Sequence, residues 1–249
     1  MPHNDFFQLI KEKHIKALIF DLDGVVTQTA KVHAKAWKRM FDAYLEQRGQ
    51  REGKVYKPLE IATDYRRYID GIPRYDGVRN FLASREITLP EGTPTDMPGK
   101  ETVAGLGNRK NAYFQELLQE GGIAVYPDTV AFIEQMQGQG LQTAIISASK
   151  NCQAILAAAG LDKLFEVRVD GVLSAELGLK GKPAPDIFLE ASRRLGVKPA
   201  HAAVFEDALA GVEAGKAGGF ALVVGIARTD ESDELKLHGA DLVLQKFPS

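Results

Sequence analysis

Two aspartates stand two residues apart in Asp21-Leu22-Asp23-Gly24, at the end of the apolar run Lys16–Asp21. In extended chain, residues two apart share a face, so both carboxylates can enter one crevice. A second acidic pair, Glu206-Asp207, ends another apolar run and is followed by Gly211. Gathering three or four carboxylates at one place is unfavourable unless a cation neutralises them. Hard oxygen ligands with room left for water and phosphate suit Mg²⁺. Ser147 closes a third run and offers a hydroxyl beside the start of a helical pattern, where N–H groups and the helix dipole attract anions. Lys182, in GKPAPD, is restrained by Pro183 and Pro185 just ahead of another helical pattern. Each has a plainer reading alone: a turn or capping aspartate pair, an N-cap serine, a solvated loop lysine. Together, in the order D-x-D-G, S, K-P, E-D, they describe acids, a hydroxyl and an ammonium suited to a phosphate and its cation.

Such a set converges only if the chain brings several strand ends to one edge. Lys16–Asp21, Gln142–Ser147, Glu166–Asp170, Ala202–Asp207 and Phe220–Val224 read as strands, with Asp241–Leu244 a weaker sixth. Their apolar residues do not alternate, which is what parallel strands covered on both faces require. Helical patterns lie between them at Asp128–Gln139, Asn151–Ala159, Asp186–Leu195 and Ala208–Ala217, and Gly160, Gly196 and Gly218 follow three of these as stops. The fold class expected is α/β, a doubly wound, Rossmann-like parallel-sheet core with ligands at the carboxyl ends of its strands. Residues 32–123 break the alternation. Val32, Ala36, Trp37, Met40, Phe41, Tyr44 and Leu45 share one helical face, and Leu89–Gly99 is a Pro- and Gly-rich loop. They are expected to form an inserted, mainly helical domain, leaving residues 1–31 and 124–249 to the sheet.

Composition sets outer bounds. The chain has 249 residues, 45% apolar and 26% charged, with a formal net charge of −2. Near-neutrality gives no general electrostatic reason to expect a nucleic-acid or anionic-membrane partner. The single cysteine, Cys152, cannot form an intrachain disulfide; near a helix start, it reads as a small apolar filler rather than a nucleophile. No apolar run reaches the roughly 20 residues of a membrane span, and charges at Lys11, Glu12, Lys13, His14 and Lys16 break up any secretory leader. A cytoplasmic monomer is expected.

With these motifs in hand, the chain resembles the haloacid dehalogenase superfamily of aspartyl phosphotransferases along its whole length, with the insertion where that superfamily places its cap. The resemblance implies that Asp21 is a nucleophile that attacks phosphorus in line, and that Asp23 is the general acid and base. It implies that Ser147, Lys182 and backbone N–H groups hold the phosphoryl oxygens. Mg²⁺ would be held by Asp21, the Asp23 carbonyl and one or both of Glu206 and Asp207. Asp23 argues against dehalogenation, since the dehalogenating members lack the second aspartate.

The finer resemblance is to the β-phosphoglucomutase-like subfamily of phosphosugar mutases and phosphatases. FDLDGVVTQTAKVHAKAW carries Thr29 and His33 where that subfamily has a threonine and a hinge histidine. GIPRYDGVRNFL resembles its G-x-x-R cap segment, making Arg74 a ligand of the substrate phosphate. NRKNAYF places Lys110 as a second cationic contact, and SASKN adds Ala148, Ser149, Lys150 and Asn151 to the substrate site. The implied activity is mutase chemistry on a small phosphosugar, with a phosphatase as the alternative. Residues 46–70 and 88–100 are longer than in the simple mutases, which leaves the substrate open. A receiver-like phosphate-sensing module would also use an aspartate, a lysine and paired acids. It needs no D-x-D after the first strand, however, and no helical insertion of this size. GVEAGKA is one residue short of a P-loop and ends in Ala217, and GLGNRK has Lys110 at the third glycine position, so both read as packing or loop glycines.

Overall fold

The structure, a computed structural model, describes residues 3–228 and 232–248. In chain order its elements are α1 (His3–Glu12), β1 (Ala17–Asp21), α2 (Thr29–Glu52), α3 (Arg66–Tyr68), α4 (Arg74–Ala83), α5 (Val103–Gly121) and α6 (Pro127–Gly138). There follow β2 (Gln142–Ile146), α7 (Cys152–Ala158), β3 (Val167–Val169), α8 (Gly171–Glu176), α9 (Asp186–Leu195) and β4 (Ala202–Glu206). The last are α10 (Leu209–Ala217), β5 (Leu222–Ile226), α11 (Ser232–Leu237) and β6 (Leu242–Leu244). A π-helical turn, Ile61–Tyr65, leads into α3. Two compact units result: the residues up to Gln28 with those from Ile123 onward, and Thr29–Gly122.

In the first unit, six strands among the described residues form one sheet in the order β3-β2-β1-β4-β5-β6, every pairing parallel. Ala17, Leu18, Ile19 and Phe20 are wholly buried, as a central strand between two helical layers demands. Alternate side chains serve opposite faces. Ala17 and Ile19, with Ala144, Ile146, Ala202 and Val204, pack against Ile187, Phe188, Ala191 and Leu195 of α9. On the other face Phe20 stacks on Phe205 with centroids 4.5 Å apart, and Phe132 and Phe247 close round them. Each such fully buried ring contributes roughly 2–3 kcal/mol of transfer free energy. Asp21 continues the Ala17–Ile19 parity, so its carboxylate emerges on the side of α9.

The connections to the second unit leave the sheet side by side. Thr27 bridges Val125 in antiparallel fashion, the Gln28 amide donates to the Ala124 carbonyl at 2.8 Å, and the Tyr126 amide donates to Val26 at 2.9 Å.

The helical unit packs α2, α4 and α5 about Trp37, Phe41, Phe81, Val78 and Leu106. Phe41 and Phe81 approach to 4.1 Å between centroids. The loop ahead of α5 is closely braced. Asp96 accepts from Lys100 Nζ, Thr93 Oγ1 and Thr102 Oγ1, while Asn108 Nδ2 donates to the carbonyls of Pro94 and Asp96.

One element was not expected, and two expectations shift. Residues 3–12 form a helix that buries Phe6 and Ile10, one turn apart. The fifth strand begins at Leu222, two residues later than its apolar run, because Phe220 turns into the α9 layer beside Phe188. Asp170 ends no strand: its carboxylate caps α8 by accepting from the amides of Val172 and Leu173. The two glycine-rich look-alikes are helical. Gly211 and Gly215 lie in α10 and Gly105 and Gly107 in α5; Cβ atoms added at 211, 105 and 107 would strike Glu206, Lys100 and Tyr75, and one at 215 would press on Val204.

Candidate active site

The carboxyl ends of β1, β2 and β4 bring Asp21, Ser147 and Glu206 together, and the segment leading into α9 adds Lys182. Asp21 Oδ1 accepts from Lys182 Nζ at 2.6 Å, and Asp21 Oδ2 accepts from the Asp23 amide at 2.9 Å. The same ammonium donates to Glu206 Oε1, and Glu206 Oε2 accepts from the Ala208 amide at 2.7 Å. Ser147 donates to Asp23 Oδ2 at 3.1 Å and accepts from the Ser149 amide at 3.0 Å, while Ser149 Oγ accepts from the Asn151 amide. Asp21, Ser147, Lys182 and Glu206 are buried, whereas Asp23 and Asp207 remain partly accessible. Ala148, Ser149 and Asn151 are half-buried and Lys150 is exposed.

Burial dominates the electrostatics. It pushes the Asp21 carboxyl well above its ordinary value; the Lys182 ammonium opposes this, while Glu206 and Asp23 add to it. Burial works against the Lys182 charge too, but the two carboxylates outweigh it and hold the ammonium above its usual value. Lys182 is therefore the internal cation that lets Asp21 and Glu206 share a dry site. Cys152 lies wholly buried, and desolvation first, with Asp23 and Asp170 behind it, pushes its thiol far up, which suits packing and not nucleophilic attack.

In the helical unit, Lys110 Nζ meets His33 Nδ1 at 2.5 Å. An ammonium only donates, so Nδ1 accepts. The Lys110 charge also lies over the rings of Trp37 and Phe114, and His33 stacks on Phe114 at 3.9 Å. Thr29 is buried at the start of α2. Arg74 differs from its neighbours. Arg39, Arg48, Arg51, Arg79 and Arg85 each reach a carboxylate. Arg74 instead donates to the neutral amide oxygen of Asn111 at 2.8 Å and has no ion pair among the described residues. Burial lowers its guanidinium from the ordinary value.

Residues 15–219 match the family described as haloacid dehalogenase-like hydrolase. The chain belongs to that family. It is accordingly an enzyme of the haloacid dehalogenase superfamily, carried on the six-stranded parallel sheet expected of it. A β-phosphoglucomutase of Mycobacterium tuberculosis is 51% identical over 233 residues, covering 92% of this chain and 89% of the relative. A β-phosphoglucomutase of Bacillus subtilis is 32% identical over 234 residues, covering 93% and 90%. A crystal structure of β-phosphoglucomutase from Clostridium difficile shares the fold with a TM-score of 0.70 at 24% identity, covering 93% of this chain and 91% of that one.

In this enzyme Glu206 and Asp207, one or both of which were expected beside Asp21 and the Asp23 carbonyl, have different surroundings. Among the described residues no three His, Cys, Asp or Glu side chains already stand in a metal-binding arrangement. Lys182 donates to both Asp21 and Glu206. Asp207 faces the other way, onto the D-x-D turn: a Cβ on Gly24 would fall 1.7 Å from Asp207 Oδ2. Gly24 also has a φ of 96°, so glycine is required there on two counts. Asp207, the Asp23 carbonyl and Asp21 are thus hard oxygen donors clustered at the turn, a set that fits a small divalent cation. Asn111 as the partner of Arg74 escaped the sequence reading, although the spacing of Asn108 and Asn111 on α5 marks a polar stripe beside GLG. Among the described residues, no helix is long and apolar enough to cross a membrane.

Proposed function

We propose that this enzyme transfers a phosphoryl group on a small phosphosugar through an aspartyl phosphate on Asp21, with Mg²⁺, as a β-phosphoglucomutase does. The observation that carries the proposal is the buried Asp21 carboxylate with Lys182 Nζ at 2.6 Å and Asp23 two residues on. An Asp21 oxygen bonds to phosphorus as the P–O ester bond breaks, and Asp23 gives its proton to the leaving oxygen. In the return step Asp23 takes the proton of the acceptor hydroxyl, which attacks phosphorus and frees Asp21. Lys182 spends two of its three protons on Asp21 and Glu206, leaving one for a phosphoryl oxygen. Ser147 and the amides of its SASKN turn supply further donors. Asp21, the Asp23 carbonyl and Asp207 would hold Mg²⁺, while Glu206 steadies Lys182 and the Ala208 amide. When bound, Mg²⁺ would neutralise charge on the transferring phosphoryl group.

The mutase reading is supported by the 51% identical M. tuberculosis relative and by Arg74, a desolvated guanidinium suited to a second phosphate. Thr29, His33 and Lys110 of the insertion, with Lys150 and Asn151 of the SASKN turn, complete the proposed substrate contacts. Purified enzyme with Mg²⁺ and a bisphosphate primer should interconvert hexose 1- and 6-phosphates. Chelation or Asp21→Asn should abolish this. Phosphate release without interconversion would replace the mutase by a phosphatase; wild-type turnover in Asp21→Asn would overturn the mechanism.

A further inference from the structure

The turn that bears Asp23 is fastened from behind by a side chain none of the motifs includes. Within the turn, the Leu22 carbonyl accepts from the amides of Val26 and Thr27 and from Thr27 Oγ1, and the Gly24 amide donates to the Thr27 carbonyl. The Val25 carbonyl is directed out of this network, toward the N-terminus of α6. There it accepts from Thr129 Oγ1 at 2.8 Å and, at a longer 3.4 Å, from Arg228 Nη2. Arg228 Nη2 also donates to Thr129 Oγ1 at 2.7 Å. A guanidinium has donors only, so the Thr129 oxygen must accept from Arg228 and send its single proton to Val25. Arg228 thereby sets the rotor of a wholly buried hydroxyl. Arg228 is itself held: Nη1 donates to Asp128 at 2.8 Å, and its Cζ lies over the Tyr126 ring, 4.0 Å from the centroid. Asp128 in turn accepts from the Phe247 amide at 2.9 Å, which ties the chain end into the same clasp.

We propose that Arg228 is a positioning residue for phosphoryl transfer, acting through Thr129 to fix the Val25 carbonyl and so the turn on which Asp23 stands. The inference rests on the proposed chemistry for its kinetic readout, but not for its structural one. A general acid must meet the leaving oxygen within hydrogen-bond reach, and small displacements there lower turnover more than binding. Arg228→Met and Thr129→Val should each lower kcat at least tenfold with KM within twofold of wild type. Thr129→Ser, which keeps the hydroxyl, should restore kcat to within threefold. Hydrogen exchange of the peptide covering residues 22–27 should quicken in Arg228→Met and Thr129→Val and not in Thr129→Ser.

Thr129→Val with wild-type kcat and wild-type exchange in 22–27 would overturn the clasp, as would equal losses in the serine and valine variants. Should Arg228→Met fail to fold, the valine and serine pair at position 129 decides alone. Were the wild-type enzyme inactive on hexose phosphates, the functional reading would fail, and exchange in 22–27 would still judge the clasp.

Discussion

Lys182→Met removes the ammonium between Asp21 and Glu206 while keeping most of the side-chain volume. Both carboxylates are buried, and Lys182 contacts each of them. Stripping one partner from such a buried pair costs about 3–5 kcal/mol, because the remaining charges keep their desolvation penalty. The folded variant has one escape, protonation of a carboxyl. Burial already raises Asp21 above its ordinary value, and loss of the opposing ammonium raises it further. For an acid raised on folding, the native state binds more protons than the unfolded one between the two values, so stability falls as pH rises through that window. One proton corresponds to at most about 1.4 kcal/mol per pH unit, so the penalty should be larger at pH 8 than at pH 6. Lys182, held above its usual value, stays charged throughout in the wild type and opposes the rise at Asp21. Urea unfolding of both proteins followed by circular dichroism at pH 6, 7 and 8 measures the difference. A penalty below about 1 kcal/mol, or one identical at pH 6 and 8, would refute the view of Lys182 as the internal counter-ion.

Two further outcomes follow from the helical unit. Asp64 and Arg85 pair at 2.5 Å with both side chains largely buried; burial works against the Asp64 charge, but Arg85 and the Glu60 amide outweigh it and hold the carboxyl below its ordinary value. That stability is present above the unfolded carboxyl value and lost as pH falls through the lowered folded one. Asp64→Asn should therefore cost about 1–3 kcal/mol at pH 7 and progressively less below pH 4 in thermal melts, and a penalty constant with pH would contradict the assignment. Asn111→Asp places a carboxylate beside Arg74, so KM for the phosphosugar should rise at least tenfold with kcat less affected. An unchanged KM in steady-state assays would remove Arg74 from substrate recognition.

Much of this was legible from local pattern. The apolar runs at 16–21, 142–147 and 202–207 could only be covered strands, and Asp186–Leu195 carried a helix whose limits the structure repeats. What escaped depended on partners far apart in the chain. Lys182 could be read as a cation, but not as one divided between Asp21 and Glu206, residues 161 and 24 positions away. Arg228 finds Asp128 across 100 positions, with no periodicity to announce it. The helix at 3–12 is short and buries Phe6 and Ile10 beside the charges of Lys11 and Glu12, too few apolar positions to set a clear period. The shift of β5 reflects an apolar residue, Phe220, whose preference for the α9 layer outweighs its strand propensity.

The paired connections at Thr27–Gln28 and Ala124–Tyr126 make the inserted unit, seen from the sheet, the loop of a hairpin. Closing a flexible loop grows more unfavourable only with the logarithm of its length, by about 0.6 kcal/mol per doubling. Segments such as 46–70 and 88–100 can therefore lengthen the insertion at little expense to the strand that carries Asp21. On the proposed reading, selectivity in the insertion can therefore vary with little effect on the strand that presents the phosphoryl chemistry.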